Sequence, residues 1–192
     1  MLSLNFSPFP NIKTGRLYLR QLSTEDENEI FFLRSDEHVN RYVDRPKPNS
    51  LRDATDHINK LNNGIANNEL IAWGITLLNT VPVIGTIGLW NISKETSAAE
   101  VGFDLKPDLQ GKGIMSEVLF EVCAYAFETL TIKKLVAWTH FQNSRSISLL
   151  NKFGFKRDLA EEESVSEIEL GDMVVYTLDE PAYTLNSASG KK

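Results

Sequence analysis

Hydrophobic and polar residues alternate along this chain with two periods, one typical of strands and one typical of helices. Every second residue is apolar in segments such as the one that contains Leu17 and Leu19. Segments with a helical period follow two serines that are suited to cap a helix, Ser23 and Ser50. In chain order, the pattern predicts a strand over 15–22, a helix over 23–34, a loop over 40–49, a helix from 51 to about 61 that the polar run 62–68 ends, a hairpin over 69–78 and 83–92, a strand over 98–105, a long helix from 114 to about 130, a strand over 134–140, a helix over 144–153, and strands over 155–159 and 173–178.

The order of these elements predicts an α/β fold of the mixed type. A doubly wound parallel sheet needs a helix between each pair of strands, whereas here three strands follow one another without an intervening helix. We therefore expect one central mixed sheet with helices on its faces. The whole chain, 1–192, is predicted to form a single domain with its core over about 12–180 and a flexible polar tail over 181–192.

Composition and charge narrow the class of protein. A length of 192 residues with 42% hydrophobic residues suits one globular domain. The formal net charge of -6 argues against a nucleic-acid partner and leaves two explanations open, solubility or a cationic partner. Apolar runs are too short to cross a membrane, and the first ten residues lack the basic flank of a signal peptide. We expect a cytoplasmic protein without a membrane partner; the oligomeric state stays open.

A glycine-containing turn joins the strand that ends near Leu105 to the long helix. Gly111 and Gly113 allow a ligand to approach the backbone where the helix begins, and the unpaired N–H groups there favour an anion such as a diphosphate. A Walker A loop is excluded because Gly113, not Ser or Thr, follows Lys112, and the dinucleotide fingerprint is excluded because Ser116 replaces its last glycine.

A third motif fits this turn. The pattern Q-x-x-G-x-A/G, in which a strand, a turn and a helix hold the pyrophosphate of coenzyme A, matches at Gln110 and Gly113. Met115 departs from it, because Ala or Gly is usual at that position. On this segment alone, an ordinary tight turn explains the sequence equally well.

A second segment identifies the family that the chain resembles. Residues 143–155 have the form N-x-x-S-x-x-L-L-x-K-x-G-F, and residues 14–20 have the form T-x-R-L-x-L-R. Together with the glycine turn, they resemble the GNAT superfamily of N-acetyltransferases, and most closely its ribosomal-protein N-terminal (Rim-type) branch. The resemblance covers roughly residues 12–158.

The resemblance implies a splayed sheet that holds the cofactor. The strand with residues 100–105 would separate from the strand with residues 134–140, and the pantetheine arm of the co-substrate acetyl-CoA would lie in the gap. The pyrophosphate would rest on the backbone amides of residues 111–115. A backbone N–H near Phe103 would be placed to polarise the thioester carbonyl. The residues so expected to bind coenzyme A are Phe103, Leu105, Gln110, Gly111, Lys112, Gly113, Ile114, Met115 and Asn143.

Acetyl transfer to an amine needs a base for the amine and an acid for the departing thiolate. Glu100 is the candidate base, because the resemblance puts its strand beside the thioester; a charge that faces water is the alternative. Ser146 is the candidate acid, because the family commonly has a hydroxyl near the sulfur; a first-turn helix residue that satisfies a backbone group is the alternative. Cys123 lies on the apolar face of the long helix, which predicts a core residue and direct transfer without a covalent intermediate.

The acceptor is expected to be an amine, with a protein N-terminus as the first hypothesis. A small amine such as an amino sugar, a polyamine or an antibiotic is the alternative within the same fold, and a non-catalytic acyl-CoA-binding module is the alternative of a different class. The loops over 40–49 and 161–172 are expected to form the acceptor site. The acidic run from Glu161 to Glu169 predicts a solvated loop or, alternatively, a surface that attracts a cationic acceptor.

The histidines and tryptophans give little further indication of function in the sequence. His38, His57 and His140 share no metal-ligand spacing, so no metal is expected, and His57 is predicted to contact Asp53 on the helix surface. The three tryptophans are predicted to be core residues, although Trp90 is also placed to reach an acceptor groove.

Overall fold

A computed structural model describes Leu2 and residues 4–166, 170–180 and 182–183. Within these residues, eight strands form one sheet in the order β1-β2-β3-β4-β5-β6-β8-β7. All neighbouring strands are antiparallel except β5 and β6, which are parallel. The strands are β1 (Ile12–Lys13), β2 (Leu17–Arg20), β3 (Ile71–Leu77), β4 (Val83–Ser93), β5 (Ala98–Leu105), β6 (Lys134–His140), β7 (Lys156–Arg157) and β8 (Met173–Asp179), and the helices are α1 (Glu27–Ser35), α2 (Leu51–Ala66), α3 (Ile114–Ala124, continued by a π-helical turn over Tyr125–Thr129), α4 (Ser144–Lys152) and α5 (Leu159–Glu163).

The helices cover both faces of the sheet. The alternation along β3 shows this, because Trp73 packs in the core beneath α3 and α4, whereas its neighbour Ala72 packs in the smaller core beneath α1 and α2. Each face therefore has its own apolar layer, and the predicted mixed α/β fold is confirmed. Within the described ranges, no helix is both long and apolar enough to cross a membrane.

Helix α2 is longer than predicted. The sequence analysis ended it at about Leu61, but the helix continues through the polar run to Ala66. Ile65 is buried in the main core, and the side chain of Leu70 lies against Gly64, so close that an added Cβ would meet it at 2.8 Å. Burial of Ile65 outweighs the weak helix propensity of the Asn and Gly residues around it.

The end of the chain also differs from the prediction. The strand expected over 155–159 contains only Lys156–Arg157, because the Asp158 side chain accepts a hydrogen bond from the Glu161 backbone N–H (3.1 Å) and caps α5. The interpretation of the acidic run as a solvated loop is wrong for Glu162, which is buried. Glu167, Glu169 and most of the predicted flexible tail lie outside the described residues.

Glu162 holds α5 against the sheet. Its carboxylate accepts two hydrogen bonds from the Arg157 guanidinium (2.9 and 3.0 Å) and one from the Val175 backbone N–H (2.9 Å). The hydrogen bonds from Arg157 lower the pKa of this carboxyl, burial opposes them, and the bond from Val175 assists them.

Glu162→Gln is expected to lower the free energy of unfolding by about 1–2 kcal/mol at pH 7, since solvent around half-exposed Arg157 screens part of the pair. Because the folded-state pKa is lowered, this contribution is present above the ordinary carboxyl pKa of about 4.3 and disappears as the pH falls through the lowered value. Urea unfolding at pH 7 and pH 3 measures it, with exposed Glu163→Gln as the control. Equal stabilities of the two variants at pH 7 would contradict the prediction.

Candidate functional site

The sheet opens between its only pair of parallel strands in the described chain. β5 and β6 pair at three positions, the last of which joins Glu100 to Val136. Beyond that position β5 stays paired with β4 up to Leu105, and β6 stays paired with β8 up to His140. A gap therefore widens between the two strands, and its apex lies at Glu100. Because the strands are parallel, the helices that follow them, α3 and α4, both begin at the open end of the gap.

The turn before α3 leaves its backbone open to a ligand. Gly111 and Gly113 both have φ +75°, a conformation that favours glycine. A Cβ added at Gly111 would meet no atom within 4 Å, and one added at Gly113 would meet only Arg16 Nη2 at 3.8 Å. Gly113 is the N-cap of α3 and supplies no side-chain hydrogen bond to the first turn. This free, accessible helix start suits an anion such as a diphosphate, which stays a prediction.

Ile114 and Met115 begin α3 with their side chains turned away from this surface. Both side chains are buried in the main core. The larger size of Met115, compared with the usual Ala or Gly, therefore changes the packing beneath the helix and leaves the outer face of the turn free.

Gln110 holds the turn in place. Its side-chain N–H donates to the Leu105 carbonyl (3.1 Å), and its oxygen accepts a hydrogen bond from Arg145 at the start of α4 (2.6 Å). Arg16 donates to the Lys112 carbonyl (3.3 Å) and pairs with Glu117 (2.7 Å). The Gln110 amide is thus engaged within the protein, so we assign it a positioning role. Lys112 and Arg145 are exposed cations beside the glycines, which favours an anionic ligand.

The two candidate catalytic residues lie on different elements, Glu100 at the apex of the gap on β5 and Ser146 in the first turn of α4. Glu100 is half-buried, and no hydrogen bond or ion pair of its carboxylate is found within the described part of the chain. Its cross-strand partner on β4 is Trp90, so the two side chains share the face covered by α1 and α2. Ser146 is half-buried in the first turn of α4, and its backbone N–H donates to Asn143 Oδ1 (3.2 Å). Asn143 thus caps α4 with its oxygen, which leaves its amide N–H groups for another partner.

Cys123 takes no part in the site. The side chain is completely buried in the core, and burial raises the pKa of its thiol. The prediction that Cys123 is a core residue is confirmed, and the thiol is too inaccessible to act as a nucleophile.

A cavity of about 900 Å³ lies on the α1 and α2 side of the gap. Its outer wall is formed by residues 41–44 and 170–173. Its inner wall is formed by the sheet, by the two helices and by the Arg45 side chain that lies against them. Both of the loops predicted to form an acceptor site therefore contribute, but residues 161–166 do not line the cavity. The sheet residues at the cavity include Trp90, as anticipated, and also Trp138, which was predicted to be a core residue.

Two arginines and a histidine form a charged inner wall that the sequence did not reveal. Arg45 donates to Asp104 Oδ2 on β5 (2.8 Å), and Arg34 Nη1 lies 3.4 Å from His57 Nε2. Burial, together with repulsion from Arg34 and Arg45, lowers the pKa of His57 to about 4. His57 is therefore neutral at neutral pH, and its Nε2 accepts a hydrogen bond from Arg34. The predicted contact between His57 and Asp53 is wrong, because Asp53 accepts hydrogen bonds from the Asn49 and Ser50 backbone at the start of α2.

His140 was also missed. It ends β6, opposite the open part of the gap, where its Nδ1 accepts the Gln142 backbone N–H (3.0 Å) and its Nε2 lies 3.7 Å from Asp172. Its ring lies 5.3 Å from that of Tyr42, which completes an aromatic wall of the cavity. The position of His140 at the end of a predicted strand could have indicated a site residue. The sequence analysis tested the histidines only for metal-ligand spacing, which gave no such indication. Among the described residues, no group of three or more His, Cys, Asp or Glu side chains could hold a metal ion.

Comparisons with known proteins identify the family of the chain. Residues 16–156 match the acetyltransferase (GNAT) domain family. The uncharacterized N-acetyltransferase YoaA of Bacillus subtilis (strain 168) is 32% identical over 150 residues, which cover 78% of this chain and 85% of that protein.

Two solved structures share the fold at low sequence identity. A ribosomal-protein alanine acetyltransferase from Vibrio fischeri has a TM-score of 0.72 at 18% identity, covering 89% of this chain and 97% of that one. A spermidine N-acetyltransferase from Vibrio cholerae, in complex with CoA and spermine, has a TM-score of 0.73 at 19% identity, covering 89% and 99%.

Proposed function

Because the chain belongs to the GNAT acetyltransferase family, we propose that it transfers the acetyl group of acetyl-CoA directly to an amine in the cavity beside the gap. The chain is an acyltransferase, and enzymes of this family use acetyl-CoA as the donor. The observation that carries the proposal for this chain is the accessible glycine turn at the open end of the gap between β5 and β6. A cytoplasmic location is part of the proposal, supported by the single, free thiol.

The proposed cofactor site uses backbone groups more than side chains. The amides of residues 111–115 would hold the pyrophosphate, with Lys112 adding positive charge. The unpaired edge of β5 near Phe103 and Leu105 would pair with the pantetheine arm, although Gln110 already donates to the Leu105 carbonyl. The free amide N–H groups of Asn143 would donate to the same arm. Acetyl-CoA, once bound, supplies the thioester that reacts.

In the proposed mechanism, Glu100 takes one proton from the acceptor ammonium and leaves a neutral amine. The amine nitrogen then forms a bond to the thioester carbonyl carbon, and the bond from that carbon to sulfur breaks. Ser146 passes the second proton from the nitrogen to the departing thiolate, so that the products are an amide, free CoA and one proton on Glu100. The half-buried Ser146 hydroxyl and the unpaired Glu100 carboxylate are both free for these roles.

CoA and acetyl-CoA are expected to stabilise the protein against thermal unfolding. A ligand at a hundred times its Kd adds about 2.7 kcal/mol to the free energy of unfolding, which raises the Tm of a protein of this size by about 5–10 °C. A Tm measured against ligand concentration tests this, with adenosine, which lacks the diphosphate, as the control. An unchanged Tm at millimolar CoA would show that the cofactor assignment is wrong.

A protein N-terminus is the first acceptor that we propose, in keeping with the resemblance to the Rim-type branch. The name of the Vibrio fischeri structural neighbour supports it, while that of the spermidine acetyltransferase supports a small amine instead. Mass spectrometry of N-terminal peptides and small amines after incubation with acetyl-CoA separates the two. If none of the amines in a broad panel causes thiol release, a non-catalytic acyl-CoA-binding module would be favoured instead.

A further inference from the structure

The two inner-wall arginines of the cavity differ in how their guanidinium groups are satisfied. All three nitrogens of Arg45 are engaged, by Asn40 Oδ1 (2.7 Å), by Asp104 Oδ2 (2.8 Å) and by the Leu33 carbonyl (3.2 Å). Among the described residues, Arg34 makes one side-chain hydrogen bond, with the neutral His57 (3.4 Å). No ion pair of Arg34 is found in the ranges that the structure describes. Arg34 therefore offers most of its donors to another partner.

These free donors face the cavity. Arg34 is half-buried and lines the cavity, and no fully buried side-chain polar atom among the described residues lacks a hydrogen-bond partner. The remaining Arg34 nitrogens are thus accessible, and they are reached from the cavity that Arg34 lines. Burial lowers the pKa of the guanidinium, and Arg45 lowers it further. Asp104 pairs with Arg45 and acts on Arg34 only from a distance, so this part of the wall carries more positive than negative charge.

The distribution of charge around the cavity decides what this surplus can recognise. Asp44 and Asp172 lie at the exposed rim, where water screens them, and Asp172 faces His140. The inner wall is cationic, next to the β5 segment that forms one side of the gap. A polycationic acceptor would meet repulsion there, whereas the planar fork of an arginine matches a carboxylate or phosphate in two parallel hydrogen bonds.

We propose that the acceptor is an amine that also carries a carboxylate or phosphate group, and that Arg34 binds this anionic group while the amine reaches the gap. The inference rests on the acetyltransferase function proposed above and names the class of its substrate. The anion can belong to a small amine or to an acidic residue at the start of a peptide, and the test distinguishes these sources.

The test compares pairs of amines that differ in one anionic group, with thiol release from acetyl-CoA as the readout. The pairs are glucosamine 6-phosphate and glucosamine, glycine and glycinamide, and peptides that begin with Glu or Gln. In at least one pair, the anionic amine is expected to have a kcat/KM at least tenfold higher. The pair that shows the preference identifies the source of the anion.

Variants then assign the preference to one side chain. Arg34→Gln is expected to reduce the preference at least tenfold, mainly through the KM of the anionic amine, while the KM of acetyl-CoA stays unchanged. Arg34→Lys keeps the positive charge but lacks the planar fork, so it is expected to retain part of the preference. This variant also tests the role of Arg34 if Arg34→Gln does not fold. Arg52→Gln, at an exposed position on α2, is the control and should leave the preference intact.

The outcomes separate this inference from the proposed function. Equal or faster reaction of the neutral amines, or a preference that survives in Arg34→Gln, would overturn the role of Arg34 and leave the acetyltransferase function standing. Absence of thiol release with every amine would overturn the proposed function and this inference together.

Discussion

Glu100→Gln is expected to lower kcat by about 10²–10⁴-fold, the usual contribution of a positioned general base. Glutamine has nearly the same shape but takes no proton from an ammonium group. Glu100 has no ion pair within the described part of the chain, so its replacement leaves no charged partner unsatisfied and the fold should be unaffected. The Kd of CoA should also stay near normal, because none of the proposed CoA contacts involves the Glu100 side chain.

Steady-state thiol release and the CoA-induced change in Tm together check this expectation. Glu95→Gln is the matched control, since Glu95 is exposed in the turn just before β5. A variant that retains full turnover would remove Glu100 from the base role, while one that loses CoA binding would show that the residue acts through the shape of the gap.

Gly113→Asp is expected to weaken CoA binding by about 100-fold, because it puts a carboxylate where the pyrophosphate is proposed to lie. The protein should still fold, although φ +75° at Gly113 strains any residue that has a Cβ. Asp and Asn adopt positive φ most readily after glycine, so this strain is expected to be modest and nearly equal for the two residues. An aspartate at the N-cap also interacts favourably with the dipole of α3, which offsets part of the strain.

Gly113→Asn separates charge from shape in this experiment. It has the same size and backbone tolerance without the negative charge, and its Kd for CoA is expected to rise less than tenfold. Calorimetric titration of both variants with CoA, at low and at high salt, measures the difference. Equal Kd values for the two variants would show that the turn does not hold the diphosphate.

The sequence could point to Glu100 and Gly113 as candidate site residues because the features that mark them lie in the residues next to them in the chain. Two glycines before a helix already indicate a backbone that a ligand can approach, and the structure adds the positive φ values that require them. A lone glutamate in an apolar strand likewise stands out from the pattern around it. What the pattern could not give is where Glu100 lies relative to β6, since the pairing of two strands depends on residues far apart in the chain.

The burial of Glu162 and the neighbour of His57 could not be predicted from the sequence, because both depend on contacts between residues of different elements. The buried Glu162 looks in the sequence like any other residue of an acidic run, and only its pairing with Arg157 makes its burial favourable. His57 looked like the partner of Asp53, because both lie on one face of α2. Its true neighbour, Arg34, comes from α1, and no period along a single helix reports contacts between two helices.

The sequence by itself thus determined the order of the elements apart from β1 and α5, the mixed sheet, the glycine turn and the core position of Cys123. Each of these depends on the burial or conformation of neighbouring residues. Only the tertiary structure decided the apex of the gap, the walls of the cavity and the charge of its inner face. Those properties arise where α1, α2 and the sheet meet. The physical reason is that hydrophobic periodicity records which side of an element is buried, whereas the charges that meet across a cavity depend on how separate elements pack together.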